Sequence, residues 1–89
     1  MLRQVRVRYE GQVQGVGFRY TVGSLANRLE VAGTVENRPD GTVRLVAEGT
    51  EAVLKTFLLN IRTSRLGDYI SGEHLEWARA EGLSGFYAR

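Results

Sequence analysis

The sequence predicts an α+β sandwich in which two helices cover one face of a mainly antiparallel sheet. In several short stretches apolar residues alternate with polar ones, which is the period of half-buried strands. Two longer stretches repeat their apolar residues at helical spacing. Glycine-containing turn sequences separate these stretches. The chain has 89 residues, enough for one hydrophobic core, so we expect a single domain over residues 1–89.

The first strand is predicted near the start of the chain. Val5, Val7 and Tyr9 alternate there with charged residues, so the three should share the buried face of the strand. The following sequence, GQVQGVGF, has three glycines and cannot form regular structure. We expect it to be a shaped loop, and we call residues 12–17 the cradle loop.

An amphipathic helix is predicted from Arg19 to about Glu30. Its apolar positions recur at i, i+3, i+4 and i+7, which places them in one stripe. This stripe should pack on the sheet. The residues concerned are Val22, Leu25, Ala26 and Leu29.

A hairpin is predicted next, with its outgoing strand at residues 34–37 and its returning strand from Val43. The intervening Arg-Pro-Asp-Gly sequence is typical of a tight turn. Strand alternation then places Val35 and Leu45 on the buried face. It also permits Glu36 to lie opposite Arg44, and we expect these two to form an ion pair on the uncovered face.

The second half of the chain supplies the remaining elements. Thr50 can cap a second amphipathic helix, whose apolar stripe runs from Val53 to Ile61. Residues 62–72 have mixed signals and are predicted to be mostly loop. Leu75 and Trp77 should face the core from a fourth strand, and residues 86–88 form a short last one. The order β-α-β-β-α-β plus a short C-terminal strand is the ferredoxin-like split βαβ plan.

Composition excludes several classes of protein. There are no cysteines and one histidine, so neither disulfides nor a cysteine- and histidine-rich metal site is expected, and we predict no cofactor. No apolar run is long enough to span a bilayer and the first ten residues do not resemble a signal peptide. A cytoplasmic protein without membrane contact is therefore expected. The 12 basic residues, all but one of them arginine, give a net charge of +2, which suits a phosphate partner but equally an ordinary basic surface.

The cradle loop and the residue that follows it form a candidate anion site. Glycines at 15 and 17 let the backbone approach a ligand closely, and successive N–H groups can then converge on an anion. The loop leads into the positive end of the first helix, where Arg19 adds a forked donor. The competing interpretation is a tight strand-to-helix connection whose glycines serve only the turn.

The sequences GQVQGVGFR and GTVENRPDGTVRLVAEG together resemble the two signature stretches of the acylphosphatase family. The resemblance implies hydrolysis of small acyl phosphates, with inorganic phosphate as product or inhibitor and no metal. It implies that Arg19 grips the phosphoryl oxygens and that Asn37 holds the attacking water, so both would be catalytic. The phosphate-binding residues would be Gln14, Gly15, Val16, Gly17, Phe18 and Arg19.

Two residues depart from the family pattern. Thr34 stands where an aromatic residue is usual, and Glu36 stands where a basic or neutral polar residue is usual. They leave open a non-catalytic anion-binding or nucleic-acid-binding module. Similar domains also begin the carbamoyltransferases of hydrogenase maturation. We do not expect nucleic acid as a partner, because the uncovered sheet face lacks the aromatic residues on which bases stack, and we expect a monomer.

Overall fold

The computed structural model describes all residues from 1 to 89 and contains five strands, two α-helices and one short 3₁₀-helix. The order of elements is the predicted one. No helix is both long and apolar enough to cross a membrane. The elements are β1 (Leu2–Gly11), α1 (Phe18–Leu29), β2 (Ala32–Asn37), β3 (Val43–Thr50), α2 (Glu51–Thr63), the 3₁₀-helix (Arg65–Tyr69), β4 (Ile70–Arg79) and β5 (Phe86–Ala88).

The five strands form one sheet in the order β4-β1-β3-β2-β5. Every neighbouring pair is antiparallel except β2 and β5, which are parallel. The two helices pack on one face, and we call the other face the open face. The predicted fold class, a ferredoxin-like split βαβ sandwich, is therefore confirmed.

The core lies between the helices and the covered face of the sheet, as the sequence periods predict. It is a cluster of 17 buried apolar residues. Val5, Val7 and Tyr9 of β1 are all 2% exposed or less, which confirms their shared face. The Tyr9 ring packs on Phe18, the first residue of α1, with ring centroids 5.2 Å apart. The start of α1, next to the cradle loop, is thus anchored in the core.

The β2–β3 hairpin has the predicted register but not the predicted ion pair. Glu36 does lie opposite Arg44, and Arg44 is on the open face. The Glu36 carboxylate nevertheless pairs with Arg38, at 3.3 Å. Arg38 lies just after the end of β2, two residues from Glu36, and its guanidinium contacts the Glu36 carboxylate. The prediction of a Glu36–Arg44 pair is therefore wrong. Arg44 forms no ion pair at all.

One prediction for the last third of the chain is wrong, and another holds only in part. Residues 62–72 are largely regular structure, because α2 continues to Thr63 and Ser64 caps the 3₁₀-helix, its hydroxyl accepting from the Leu66 N–H at 3.1 Å. Leu66 is fully buried, which ties that short helix to the core. Leu75 has the predicted orientation but is 42% exposed, since β4 is an edge strand that the helices only partly cover. Trp77 is half-buried against the core.

The connection between β4 and β5 crosses the open face, because these strands lie at opposite edges of the sheet. We call residues 80–85 the strap. Glu48 of β3 holds it: its carboxylate accepts hydrogen bonds from the backbone N–H groups of Glu81, Gly82 and Leu83 at 2.7 to 3.1 Å. The Gln4 amide donates to the same carboxylate at 2.8 Å. Sequence alternation suggests a solvated Glu48, but it is 4% exposed, so that interpretation is wrong.

These hydrogen bonds make the strap sensitive to acid. Burial acts to raise the pKa of Glu48, but the hydrogen bonds outweigh it and hold the pKa below the ordinary value of 4.5. A lowered pKa in the folded state adds stability that is fully present above the unfolded-state pKa and is lost as pH falls through the lower folded value. The strap should therefore be firmly held at neutral pH and loosen in acid.

We expect Glu48→Gln to lower the free energy of unfolding by about 2 kcal/mol at pH 7, because hydrogen bonds to a charged group are lost. The difference from wild type should shrink as pH falls below 4.5, the ordinary pKa value. Urea unfolding from pH 7 to pH 3 measures both. Glu76→Gln is the control, because the Glu76 side chain is 73% exposed. A difference that stays constant with pH would contradict the expectation.

Candidate active site

One cavity joins the cradle loop, the start of α1, the end of β2 and the end of β5. It has a volume of about 340 Å³. Arg19 and Asn37, which lie on different elements, line it together. The complete lining consists of Val13, Gly15, Gly17, Phe18, Arg19, Tyr20, Asn37 and Ala88.

The backbone of the cradle loop turns through two left-handed glycines. Gly15 has φ of 80° and Gly17 has φ of 75°, values that side chains with a Cβ seldom adopt. Gly17 precedes α1, and no side chain caps the N–H groups of the first helical turn. That turn also contains no acidic residue. Uncapped N–H groups at the positive end of a helix attract an anion, and nothing negative in that turn competes for them.

Arg65, from the 3₁₀-helix, fixes the loop from outside the cavity. Its guanidinium donates to the Val16 carbonyl at 2.8 Å and to the Thr21 hydroxyl at 3.0 Å. In a trans peptide the carbonyl and the following N–H point in opposite directions. Holding the Val16 carbonyl toward Arg65 therefore turns the Gly17 N–H away from it. A Cβ on Gly17 would also lie 2.9 Å from the Arg65 guanidinium, so a larger residue at this position would displace Arg65 from the loop.

Arg19 is half-buried, and its guanidinium is held in place by Arg89. It donates one hydrogen bond to the main-chain oxygen of Arg89 at 2.5 Å. The Arg89 N–H in turn donates to the Val35 carbonyl at 2.8 Å, extending the β2–β5 pairing. One of five guanidinium donors is thereby used for orientation. The others remain for a ligand.

Asn37 is the last residue of β2 and pairs with Val43 across the hairpin. Its side chain shares the parity of Val35, which is on the helix-covered face, whereas Glu36 lies on the open face. The Asn37 amide is exposed and has no hydrogen-bond partner within the chain. It can therefore both donate to and accept from a small molecule in the cavity.

Gln14 connects the cradle loop to the hairpin turn. Its side-chain amide donates to the Arg38 carbonyl at 2.8 Å and to the Thr42 carbonyl at 2.9 Å. Arg38 follows Asn37 directly, so this contact sets the distance between the loop and Asn37. The side chain of Gln14 is occupied by these carbonyls, which leaves only its backbone for an anion.

Some of the site residues predicted from the sequence therefore lie together on the cavity wall. Gly15, Gly17, Phe18, Arg19 and Asn37 line it, whereas Gln14 and Val16 do not. The site prediction did not include Val13, Tyr20 and Ala88 on the wall, or Arg65 and Arg89 behind it. Val13 and Tyr20 flank the predicted residues and could have been considered. The other three come from the last third of the chain, where no motif points to the loop.

The cavity offers hydrogen-bond donors and the side-chain amide of Asn37. No group of three or more histidine, cysteine, aspartate or glutamate residues is placed to hold a metal ion. The cavity wall itself carries neither a carboxylate side chain nor an imidazole. It can bind a phosphoryl group through N–H donors and Arg19, and it can hold a water through Asn37.

Comparisons with known proteins agree with this geometry. The family model described as Acylphosphatase matches residues 5–87. An acylphosphatase of Methanospirillum hungatei is 40% identical over 89 residues, which cover 99% of this chain and 98% of that protein. The match therefore includes the last third, where the motifs are absent.

Solved structures give the same picture. The crystal structure of acylphosphatase from Bacillus subtilis superposes with a TM-score of 0.91 at 37% identity, covering 100% of this chain and 99% of that one. Full-length HypF in its phosphate- and nucleotide-bound form superposes with a TM-score of 0.92 at 23% identity. The match spans all of this chain but only 12% of HypF. At this level of identity, the likeness shows the fold alone.

Proposed function

The chain belongs to the acylphosphatase family and is an acyl phosphate hydrolase, and from this premise we propose that Arg19 and Asn37 carry out a metal-independent reaction. The substrates would be small acyl phosphates such as acetyl or carbamoyl phosphate. The observation that supports the proposal best is the single cavity shared by Arg19, Asn37 and the cradle glycines. The product would be a carboxylate or carbamate together with inorganic phosphate, and the protein would act as a monomer.

The substrate's own chemistry explains why so few groups suffice. An acyl phosphate is a mixed anhydride, and its leaving carboxylate is a weak base that departs without a general acid. Phosphoryl transfer through a loose transition state requires mainly positioning and charge stabilisation. A site without an acidic or basic side chain on its wall is therefore consistent with this reaction.

The phosphoryl group would bind between the helix start and Arg19. The uncapped N–H groups of the first turn and the Gly17 N–H would donate to its oxygens. Arg19 would add a forked pair of donors, since its contact with Arg89 leaves the remaining guanidinium N–H groups free. Charge on these oxygens would be stabilised in the transition state by donors that are already in place.

The attacking water would be held by Asn37. Its side-chain oxygen can accept a hydrogen bond from the water. This would aim a lone pair of the water at phosphorus, opposite the leaving carboxylate. The second proton of the water would pass to a phosphate oxygen of the substrate as the new P–O bond forms and the bond to the acyl oxygen breaks.

The acidic residue beside Asn37 does not oppose this scheme. Glu36 lies on the open face and pairs with Arg38 at 3.3 Å, so its charge is turned away from the cavity and partly neutralised. The departure from the family pattern at this position is therefore compatible with an anionic substrate.

Hydrolysis of benzoyl phosphate in the presence of excess EDTA tests metal independence. We expect kcat and KM to remain within about twofold of their values without chelator, because side chains and backbone supply all the donors. Release of inorganic phosphate gives an independent readout. Loss of activity that added Mg²⁺ or Zn²⁺ restores would overturn the metal-independent mechanism. Phosphate binding without any hydrolysis would instead favour the non-catalytic module.

A further inference from the structure

A second concave surface lies on the open face of the sheet, and the acylphosphatase reaction does not use it. We call it the open-face depression; it has a volume of about 460 Å³. Its wall contains four arginines and only two carboxylates. The strap covers the neighbouring half of this face around Glu48 and leaves the arginine-rich half uncovered. The charged and titratable lining residues are Arg6, Arg8, Arg38, Arg44, Asp40, His74 and Glu76.

The arginines of the depression are unequally neutralised. Arg6 pairs with Glu76 at 3.6 Å and Arg38 pairs with Glu36 at 3.3 Å. Arg44 has no carboxylate partner and no side-chain hydrogen bond. Among the arginines of the open-face depression, Arg44 is therefore free, whereas Arg6 and Arg38 are paired with carboxylates.

Arg8 has only a weak partner. Its nearest carboxylate oxygen, on Glu10, is 3.9 Å away, and the other Glu10 oxygen is bonded to His74 at 2.7 Å. Arg8 also lies directly opposite Arg44 in the β1–β3 ladder. Like charges in directly opposed positions destabilise a sheet. A pair that opposes folding and is unmatched by acidic residues indicates a binding surface, since local violations of stability rules occur at functional sites.

We propose that the open-face depression binds a small anion that carries several linked phosphate groups. Neighbouring strands place Arg8 and Arg44 side by side, and Arg6 lies two residues along β1 on the same face. Such an array offers forked donors to successive phosphoryl groups. The depression has no tyrosine, tryptophan or phenylalanine on its wall, which disfavours single-stranded nucleic acid, because that ligand requires stacking platforms.

This site is distinct from the catalytic cavity. Asn37 has the parity of the helix-covered face, whereas Arg44 and Glu36 lie on the open face, so the two sites occupy opposite sides of the β2–β3 hairpin. They share no lining residue. Binding at one can therefore be measured after the other has been removed.

The test is calorimetric titration with tripolyphosphate at low ionic strength, using the Arg19→Ala protein so that the catalytic cavity contributes little. We expect saturable binding that weakens about tenfold with each of the further changes Arg8→Gln and Arg44→Gln, since each removes charge-assisted hydrogen bonds. The charge-matched control is Arg28→Gln with Lys55→Gln, both on the helix side. Equal weakening in this control would reduce the effect to net charge and overturn the proposal.

Thermal unfolding and kinetics with Arg19 intact supply the complementary readout. Without ligand, Arg44→Gln should leave Tm unchanged or raise it, because it relieves a like-charge pair; with tripolyphosphate, the rise in Tm should be smaller than in wild type, because the open-face depression binds the ligand more weakly. The Arg8→Gln, Arg44→Gln double variant should keep kcat and KM for benzoyl phosphate, which shows that it folds. An undiminished ligand-induced rise in Tm would overturn the proposal. So would tighter binding of an oligothymidylate than of tripolyphosphate, which would identify a nucleic-acid surface.

Discussion

Arg19→Ala is expected to lower kcat/KM for benzoyl phosphate by about 10⁴-fold, within the range that an arginine contributes to phosphoryl transfer. The reason is geometric as well as electrostatic. The Arg19 guanidinium is held by the main-chain oxygen of Arg89 beside the uncapped start of α1, and Arg19 lines the cavity, so we expect its remaining donors to bind the phosphoryl group. Alanine removes both the charge and the forked donors, and the loop N–H groups alone cannot balance the transferred phosphoryl group.

Two variants make the Arg19 experiment specific. Arg28→Ala removes an arginine from the last turn of the same helix, away from the cavity, and should leave kcat/KM nearly unchanged. Arg19→Lys keeps the charge but loses the planar fork, so its activity should lie between those of Arg19→Ala and wild type. Circular dichroism establishes that each variant is folded. Full turnover in a folded Arg19→Ala protein would contradict the site assignment.

Local patterns in the sequence predicted the first two thirds of the fold. The alternation of Val5, Val7 and Tyr9 and the helical stripe of α1 each report directly on which face is buried, because a period of two or 3.6 leaves little choice. Parity also permitted the observed register of Glu36 against Arg44. Which arginine Glu36 would pair with did not, because several conformations of a long side chain on an exposed face differ little in energy.

The last third resisted prediction because its structure depends on distant partners. Alternation places Glu48 on a solvated face, yet the strap, more than 30 residues further along the chain, covers it and donates three backbone hydrogen bonds to its carboxylate. Leu75 occupies an apolar position of an alternating strand, but its burial depends on how far the helices extend over that edge strand. The burial of Glu48 and of Leu75 is therefore decided by contacts that exist only in the assembled sheet.

The candidate site, like the fold, was predictable from the sequence only in part. Gly15, Gly17 and Arg19 form a continuous sequence motif whose physical meaning can be derived locally. The groups that orient this motif, Arg65 and the main-chain oxygen of Arg89, come from the 3₁₀-helix and the end of the sheet. Only the folded structure brings them to the loop, and no spacing rule in the sequence connects them.

Asn37→Ala is expected to lower kcat by about 10² to 10³-fold, a loss of the size seen when one positioned polar group is removed from an active site. The affinity for inorganic phosphate, measured as a competitive inhibitor, should change by less than about threefold, because Arg19 and the loop N–H groups that would hold phosphate remain. A separation of kcat from phosphate binding is the signature of a group that acts on the attacking water.

Structural damage would give a different result, and the position of Asn37 makes the two separable. Its backbone pairs with Val43, an arrangement that alanine preserves, and its side chain is exposed. The free energy of unfolding should therefore change by no more than about 0.5 kcal/mol. Glu36→Gln, one residue away on the opposite face, is the matched control and should retain wild-type kcat. If Asn37→Ala weakened phosphate binding as much as it lowered kcat, Asn37 would be a ligand of the phosphoryl group and the water would have to be positioned by another residue.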